Sequence, residues 1–129
     1  MQDDKVLFGI RNIEPHKGKL NLPGGFLDYD ETAEQAAIRE VKEELGIDIK
    51  LTSFLGTYTD DYEGRPTINI MFIAQYTGGT IVPSDDLNGG EIVWRDIQDL
   101  PTRDEIGWNW YIAAQEDLLK WWQKSNSAS

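Results

Sequence analysis

Three glutamates carry the chemistry open to this chain. Glu40, Glu43 and Glu44 stand at i, i+3 and i+4 in a stretch without glycine or proline, so a helix over about Ala33 to Leu45 gathers their carboxylates on one face. Crowded carboxylates repel one another, and Arg39 and Lys42 only soften that repulsion. A hard divalent cation offsets it well, because it takes several oxygen ligands and keeps water for chemistry. A solvated acidic helix face would contain the same residues, so the helix alone does not decide between the two readings.

Composition restricts what kind of metal site is available. The chain has no cysteine and one histidine, His16, which excludes a disulfide framework, a thiolate zinc site, a cysteine nucleophile and a multi-histidine site. Any metal ligands must be oxygens, which points to magnesium, manganese or calcium. With 23 acidic against 12 basic residues the formal charge is −11, and no basic stripe offers itself to a nucleic acid polymer. A phosphorylated small molecule remains compatible, provided bound cations invert the local charge.

The 129 residues amount to one domain, with 40% apolar and 27% charged residues in the globular range. No apolar run reaches the roughly 20 residues that span a bilayer. Met1-Gln2-Asp3-Asp4 is polar and acidic, unlike a signal peptide, so a soluble cytoplasmic protein with no membrane partner is expected.

The elements that must position the glutamates follow from local pattern. Lys5 to Ile10 reads as a strand, followed by a polar loop from Asn12 to Lys19. Leu20-Asn21-Leu22 alternates briefly before the breaker Pro23-Gly24-Gly25. Thr32 and Gln35 form a capping box, and Gly46 sits where a left-handed residue ends a helix. Ala33, Ala37, Val41 and Leu45 give that helix an apolar face. Ile47 to Thr59 and Thr67 to Tyr76 read as strands around a turn at 60–66. After Gly78-Gly79 an acidic loop, Ser84 to Gly90, leads to a third strand at Glu91 to Trp94. Pro101 introduces a helix over about Asp104 to Gln123, with Trp108, Ile112, Gln115, Leu119 and Trp122 on the stripe that docks on the sheet. Residues 1–123 are expected to form one domain and 124–129 a disordered tail. Such an order suggests a mixed sheet covered by helices on its faces.

The spacing across Gly25, Glu31, Arg39-Glu40-Val41, Glu43-Glu44 and Gly46-Ile47 resembles the signature of the Nudix hydrolases. That signature is glycine, five residues, glutamate, seven residues, then Arg-Glu-apolar-x-Glu-Glu-x-Gly-apolar, and fixed identities at this spacing make it specific. Leu22-Pro23-Gly24-Gly25-Phe26 looks like the family's lead-in, and Trp94 with Leu100-Pro101 and a terminal helix is similar to its C-terminal half.

The resemblance implies an α/β (α+β) fold, a Nudix-type α/β/α sandwich with a mixed sheet, apparently lacking the usual first strand. An open internal edge is a liability, so dimerisation (a homodimer) or compensation at that edge is expected. The resemblance also implies a divalent-metal-dependent pyrophosphohydrolase using Mg2+ or Mn2+. Glu43 and Glu44 would be ligands, Glu40 a ligand or the base that orients water, and the carbonyl of Gly24 a further ligand. Arg39 would orient Glu40, while Glu31 would brace Arg39 or reach the metal through water; an ordinary ion pair is the alternative for both. Asp85, Asp86 and Glu91 are candidates for a distal acid, with Glu91 preferred because it opens a strand. The implied substrate is a nucleoside diphosphate derivative, ADP-ribose-like or a dinucleotide. Lys17 and Lys19 could approach its phosphates. Phe26, Tyr29, Tyr58 and Tyr62 could stack its base, although packing explains each equally. The absence of cysteine argues against the isopentenyl diphosphate isomerase branch. The alternative is a Nudix-fold module that binds a nucleotide without hydrolysing it; such modules commonly lose signature glutamates, and none is lost here.

Overall fold

The computed structural model describes residues 1–11, 16–23, 27–81 and 91–127. In chain order its elements are β1 (Lys5–Ile10), β2 (Leu20–Asn21), α1 (Ala33–Leu45), β3 (Asp48–Tyr62), β4 (Arg65–Gly78), β5 (Ile92–Asp96) and α2 (Trp110–Ser127).

The run Val6, Leu7, Phe8 and Gly9 is buried without a break, because β1 is covered on both faces. Alternate side chains enter different cores. Val6 and Phe8 pack with Leu20, Ile73, Ile97, Tyr111 and Leu118, on the side of α2. Leu7 packs with Leu45 of α1 and with Ile47. A sheet therefore lies between two helical layers, as the α/β/α expectation requires. β1 is central in the order β2-β1-β5, and β3 pairs with β4 in a second sheet. Among the described residues every ladder is antiparallel. The expected mixed character survives only in the isolated parallel bridge between Leu20 and Ile106.

The residue that opens the chain pairs with β4. The Met1 ammonium donates to the Ala74 carbonyl at 2.6 Å, and the Tyr76 N–H donates to the Met1 carbonyl at 3.2 Å. Met1 thus lies along β4.

α1 begins and ends where its sequence signals stand. Gln35 N–H donates to Thr32 Oγ1, Thr32 N–H donates back to Gln35 Oε1, and Gly46 closes the helix at φ 75°. Its inner face is turned slightly from the expected one: Ala36, Glu44 and Leu45 are the buried residues. Beyond it, β3 and β4 form a long hairpin whose pairing continues to Tyr62 and Arg65. The turn expected over 60–66 contracts to Glu63 and Gly64, whose φ values of 51° and 80° suit the tight turn that matches strand twist.

The C-terminal helix differs from expectation at both ends. It starts at Trp110 rather than near Asp104, because Gly107 interrupts the segment and Thr102 to Glu105 closes as a turn. It runs to Ser127, through most of the segment expected to be a tail. The buried stripe is Tyr111, Ala114, Gln115 and Leu118, rotated from the stripe centred on Ile112 and Leu119. Gln115 Nε2 donates to the Pro101 carbonyl at 2.8 Å, which fixes the helix against the segment before it. No helix of the described residues is long and apolar enough to cross a membrane.

Candidate active site

The face of α1 that carries the signature acids is organised around Arg39. Its guanidinium meets Glu31 through two bonds, Nη2–Oε1 at 2.7 Å and Nε–Oε2 at 3.0 Å. Nη2 also reaches Glu40 Oε1 at 3.0 Å, and Nη1 reaches Glu43 Oε2 at 3.0 Å. Asp28 adds a longer contact, 3.4 Å to Nε. One cation thus gathers four carboxylates contributed by α1 and the segment before it.

Glu31 is held from two sides. The Arg39 guanidinium holds its carboxyl below the usual carboxylate range, helped by the Asp28 N–H, which donates to Oε1 at 2.7 Å. In return the carboxylates raise the pKa of Arg39, with the Glu31 bond as the largest cause. Lys42 is not part of this network: its ammonium pairs with Asp48 at 3.2 Å, at the start of β3.

The three glutamates do not share one environment. Glu43 is exposed, Glu40 is mostly covered, and Glu44 is buried at 9% exposure. Among the described residues, no three acidic or histidine side chains converge tightly enough to enclose a metal ion. The donors are nevertheless all carboxylate oxygens, and Arg39 at 3.0 Å from two of them already acts as their shared counter-charge. That chemistry fits a hard divalent cation.

The other expected site residues are dispersed. Glu91 lies immediately before β5, exposed, with its carbonyl accepting from the Ile10 N–H at 3.1 Å. Lys17 and Lys19 line a cavity of about 410 Å³ with Leu20, Val93, Arg95 and Glu105. No α1 residue lines that cavity, and the Lys19 ammonium is engaged by the Asp104 carbonyl. Tyr29 is 94% exposed. Tyr58 belongs to the core: it stacks on Trp110 with ring centroids 5.8 Å apart and donates to Asp117 Oδ2 at 2.7 Å. Gly24, Phe26, Asp85 and Asp86 lie outside the described residues, as does the side chain of Tyr62.

Sequence reading missed a group at the entry to the signature segment. Tyr111, at the start of α2, donates to Asn21 Oδ1 at 2.6 Å and accepts from the Leu22 N–H at 3.3 Å. Burial pushes its pKa up to about 12, and the charges of Arg11 and Glu44 both act on its hydroxyl. Arg11 lies over the Trp108 ring, 4.9 Å from its centroid, with the His16 ring at 4.9 Å from the same centroid. No local pattern marks these residues; Arg11 shows only as a basic residue closing the first strand.

Comparison with known proteins bears on the family and the fold. Residues 1–115 match the NUDIX domain family. An ADP-ribose pyrophosphatase of Methanocaldococcus jannaschii is 40% identical over 103 residues, covering 78% of this chain and 59% of that protein. An NAD-capped RNA hydrolase, NudC, of Vibrio atlanticus is 34% identical over 106 residues, covering 81% of this chain and 38% of that one. The chain therefore spans about half the length of these curated relatives. Among solved structures, a MutT NUDIX hydrolase from Burkholderia pseudomallei superposes with a TM-score of 0.76 at 27% identity, covering 92% of this chain and 91% of that one.

Proposed function

The chain belongs to the NUDIX family, and from that premise we propose that it hydrolyses the diphosphate linkage of a nucleoside diphosphate derivative, ADP-ribose-like or a dinucleotide, with Mg2+ or Mn2+. The observation that carries this reading is the Arg39 network. It holds Glu31, Glu40 and Glu43 at hydrogen-bond distance of one guanidinium, beside the buried Glu44. The likeness to an ADP-ribose pyrophosphatase supports the substrate class.

A diphosphate resists attack by water because its oxygens are already negative, and a chain of net charge −11 has few cations to offset them. A divalent cation, when bound, supplies the missing charge, acidifies a coordinated water and steadies the attacking and leaving oxygens. Glu43 and Glu44, with the carbonyl of Gly24 and with Glu91 as the distal acid, are the residues we assign to hold it. Glu40 either joins them or accepts the proton of the attacking water. Arg39 keeps Glu40 and Glu43 oriented, and Glu31 keeps Arg39 in place through the two-bond fork. Phe26 and Tyr62 are assigned to the substrate's base, and its phosphates to the cation, since the cavity that Lys17 and Lys19 line holds no residue of α1.

The test is a panel of nucleoside diphosphate derivatives incubated with Mg2+, with Glu44→Gln in parallel. Turnover of ADP-ribose or a dinucleotide that falls at least about 100-fold in Glu44→Gln is the expected result. Nucleotide binding with no turnover of any compound would replace this reading with that of a binding module.

A further inference from the structure

The segment that enters the signature loop is very short and is held from the opposite end of the chain. β2 comprises only Leu20 and Asn21, paired to Ile10 and Gly9 of β1. On its other side the Leu20 N–H donates to the Glu105 carbonyl at 2.7 Å, and the Gly107 N–H donates to the Leu20 carbonyl at 3.2 Å. These bonds fix Leu20. The next two residues are fixed by Tyr111, whose hydroxyl donates to Asn21 Oδ1 and accepts from Leu22 N–H. Pro23 and the signature glycines follow directly in sequence.

We infer that Tyr111 is a positioning residue for the hydrolytic site: through Asn21 and Leu22 its hydroxyl fixes the chain where it enters the signature segment. The assignment rests on the hydrolase reading proposed above. Three observations carry it beyond an ordinary core tyrosine. The hydroxyl uses both its donor and its acceptor capacity on consecutive residues, 90 and 89 positions away in sequence. The ring is confined by Trp110, with centroids 4.5 Å apart and planes at 82°, and by Trp108 at 6.0 Å, so the hydroxyl has a fixed origin. Tyr111 is also 4% exposed, so water does not readily replace the hydroxyl when it is removed. Phenylalanine retains the packing and deletes only the tie. Loss of the tie lets the loop entrance drift, and a displacement of about 1 Å at such a site costs up to about 100-fold in rate.

The experiment compares wild type, Tyr111→Phe, Asn21→Ala and the double variant, in the full chain, by Mg2+-dependent ADP-ribose turnover and by amide hydrogen exchange. The expected result for Tyr111→Phe is a kcat reduced about 10- to 100-fold with KM within about twofold, because the substrate's groups are still bound but misaligned. Exchange should accelerate at Leu22 and leave the β3–β4 hairpin protected. The double variant should be no slower than the slower single variant, since both remove one link. Tyr111→Phe with wild-type kcat and wild-type Leu22 exchange overturns the assignment. So does a loss of protection spread over β3 and β4, which would mark a purely structural role. A wild-type chain that hydrolyses no diphosphate overturns the hydrolase reading and this assignment with it, whereas an active wild type beside an equally active Tyr111→Phe overturns this assignment alone.

Discussion

Arg39 grips Glu31 with a planar two-bond fork, Nη2–Oε1 at 2.7 Å and Nε–Oε2 at 3.0 Å, although the two residues lie eight positions apart. The fork spans the boundary between the loop before α1 and the helix itself. It leaves Nη1 directed at Glu43 and lets Nη2 reach Glu40 as well. Lysine cannot reproduce this arrangement, because an ammonium is a point charge without the fork. Arg39→Lys is therefore expected to lower kcat roughly 10- to 100-fold by releasing Glu40 and Glu43 from their common orientation. The melting temperature should move little, since partly exposed ion pairs contribute little to folding. Steady-state kinetics beside a thermal melt checks both halves; unchanged turnover would reduce the network to surface ion pairing.

A second prediction concerns acid stability and the segment that holds Leu20. Glu105 accepts from Arg95 Nη1 at 2.6 Å and from the Thr102 N–H at 3.1 Å. The Arg95 bond first, and the Thr102 backbone second, depress its pKa from 4.5 to about 2. A carboxylate with a depressed folded pKa contributes stability that is full above the unfolded value and is lost as pH falls toward the folded one. Solvent screening at 39% side-chain exposure reduces the contribution to about 1 kcal/mol. The stability of wild type measured by chemical denaturation should fall between pH 5 and about 2, and the loss should be smaller by about that amount in Glu105→Gln. Equal pH slopes in the two proteins would refute the assignment.

The two sides of the β3–β4 hairpin provide a contrast between strain alone and strain with a clash. Gly64 has φ 80°, and a Cβ there would meet nothing within 4 Å. Gly79 has φ 89°, and its Cβ would lie 3.0 Å from the Gly46 carbonyl oxygen and 3.2 Å from Ile47 Cα. Both contacts are backbone, at the residue that ends α1, so nothing flexible can yield. Gly64→Ala should cost about 1 kcal/mol for the left-handed conformation. Gly79→Ala should cost about 2–4 kcal/mol and perturb the end of the helix that carries Glu43 and Glu44. Urea unfolding of the two variants measures the difference, and equal costs would count against the packing of Gly79 on Gly46.

What could be read from sequence, and what could not, follows the range of the interactions. α1 was legible to its ends because Thr32, Gln35 and Gly46 act within one turn of the termini they cap. β1 and the hairpin strands are legible from apolar and β-branched runs, but the turn is narrower than its composition suggests, because Asp60 and Asp61 resemble loop residues while pairing with Thr67 and Pro66. α2 starts several residues after its apolar stripe suggests, because a stripe does not say where a helix begins and Gly107 breaks the segment before Trp110. The Arg39 network was foreseeable only through the family spacing, since composition alone allows a solvated acidic face. The ties from Tyr111 to Asn21 and Leu22, and the stacking of Arg11 on Trp108, join distant parts of the chain; tertiary packing creates them, and no local periodicity encodes them.

The burial of Glu44 gives the metal hypothesis a readout that does not depend on turnover. This carboxylate is 9% exposed on the inner side of α1, whereas Glu43, one residue earlier, has a side chain 58% exposed. A cation that binds the folded chain and not the unfolded one stabilises it by mass action, by about 2.7 kcal/mol at 100 times its dissociation constant. For a domain of this size that raises the melting temperature by roughly 5–10 °C. Saturating Mg2+ should therefore produce such a shift in wild type, and a chelator should reverse it. Glu44→Gln keeps the shape of the side chain and removes its charge, so the shift should shrink to about 2 °C or less at the same Mg2+ concentration. Lys42 makes its contact with Asp48, away from the glutamate network, and Lys42→Ala should leave the shift intact. An equal Mg2+ shift in wild type and Glu44→Gln would remove Glu44 from the ligand set. The absence of any shift in wild type would instead count against a divalent cation at this face of α1.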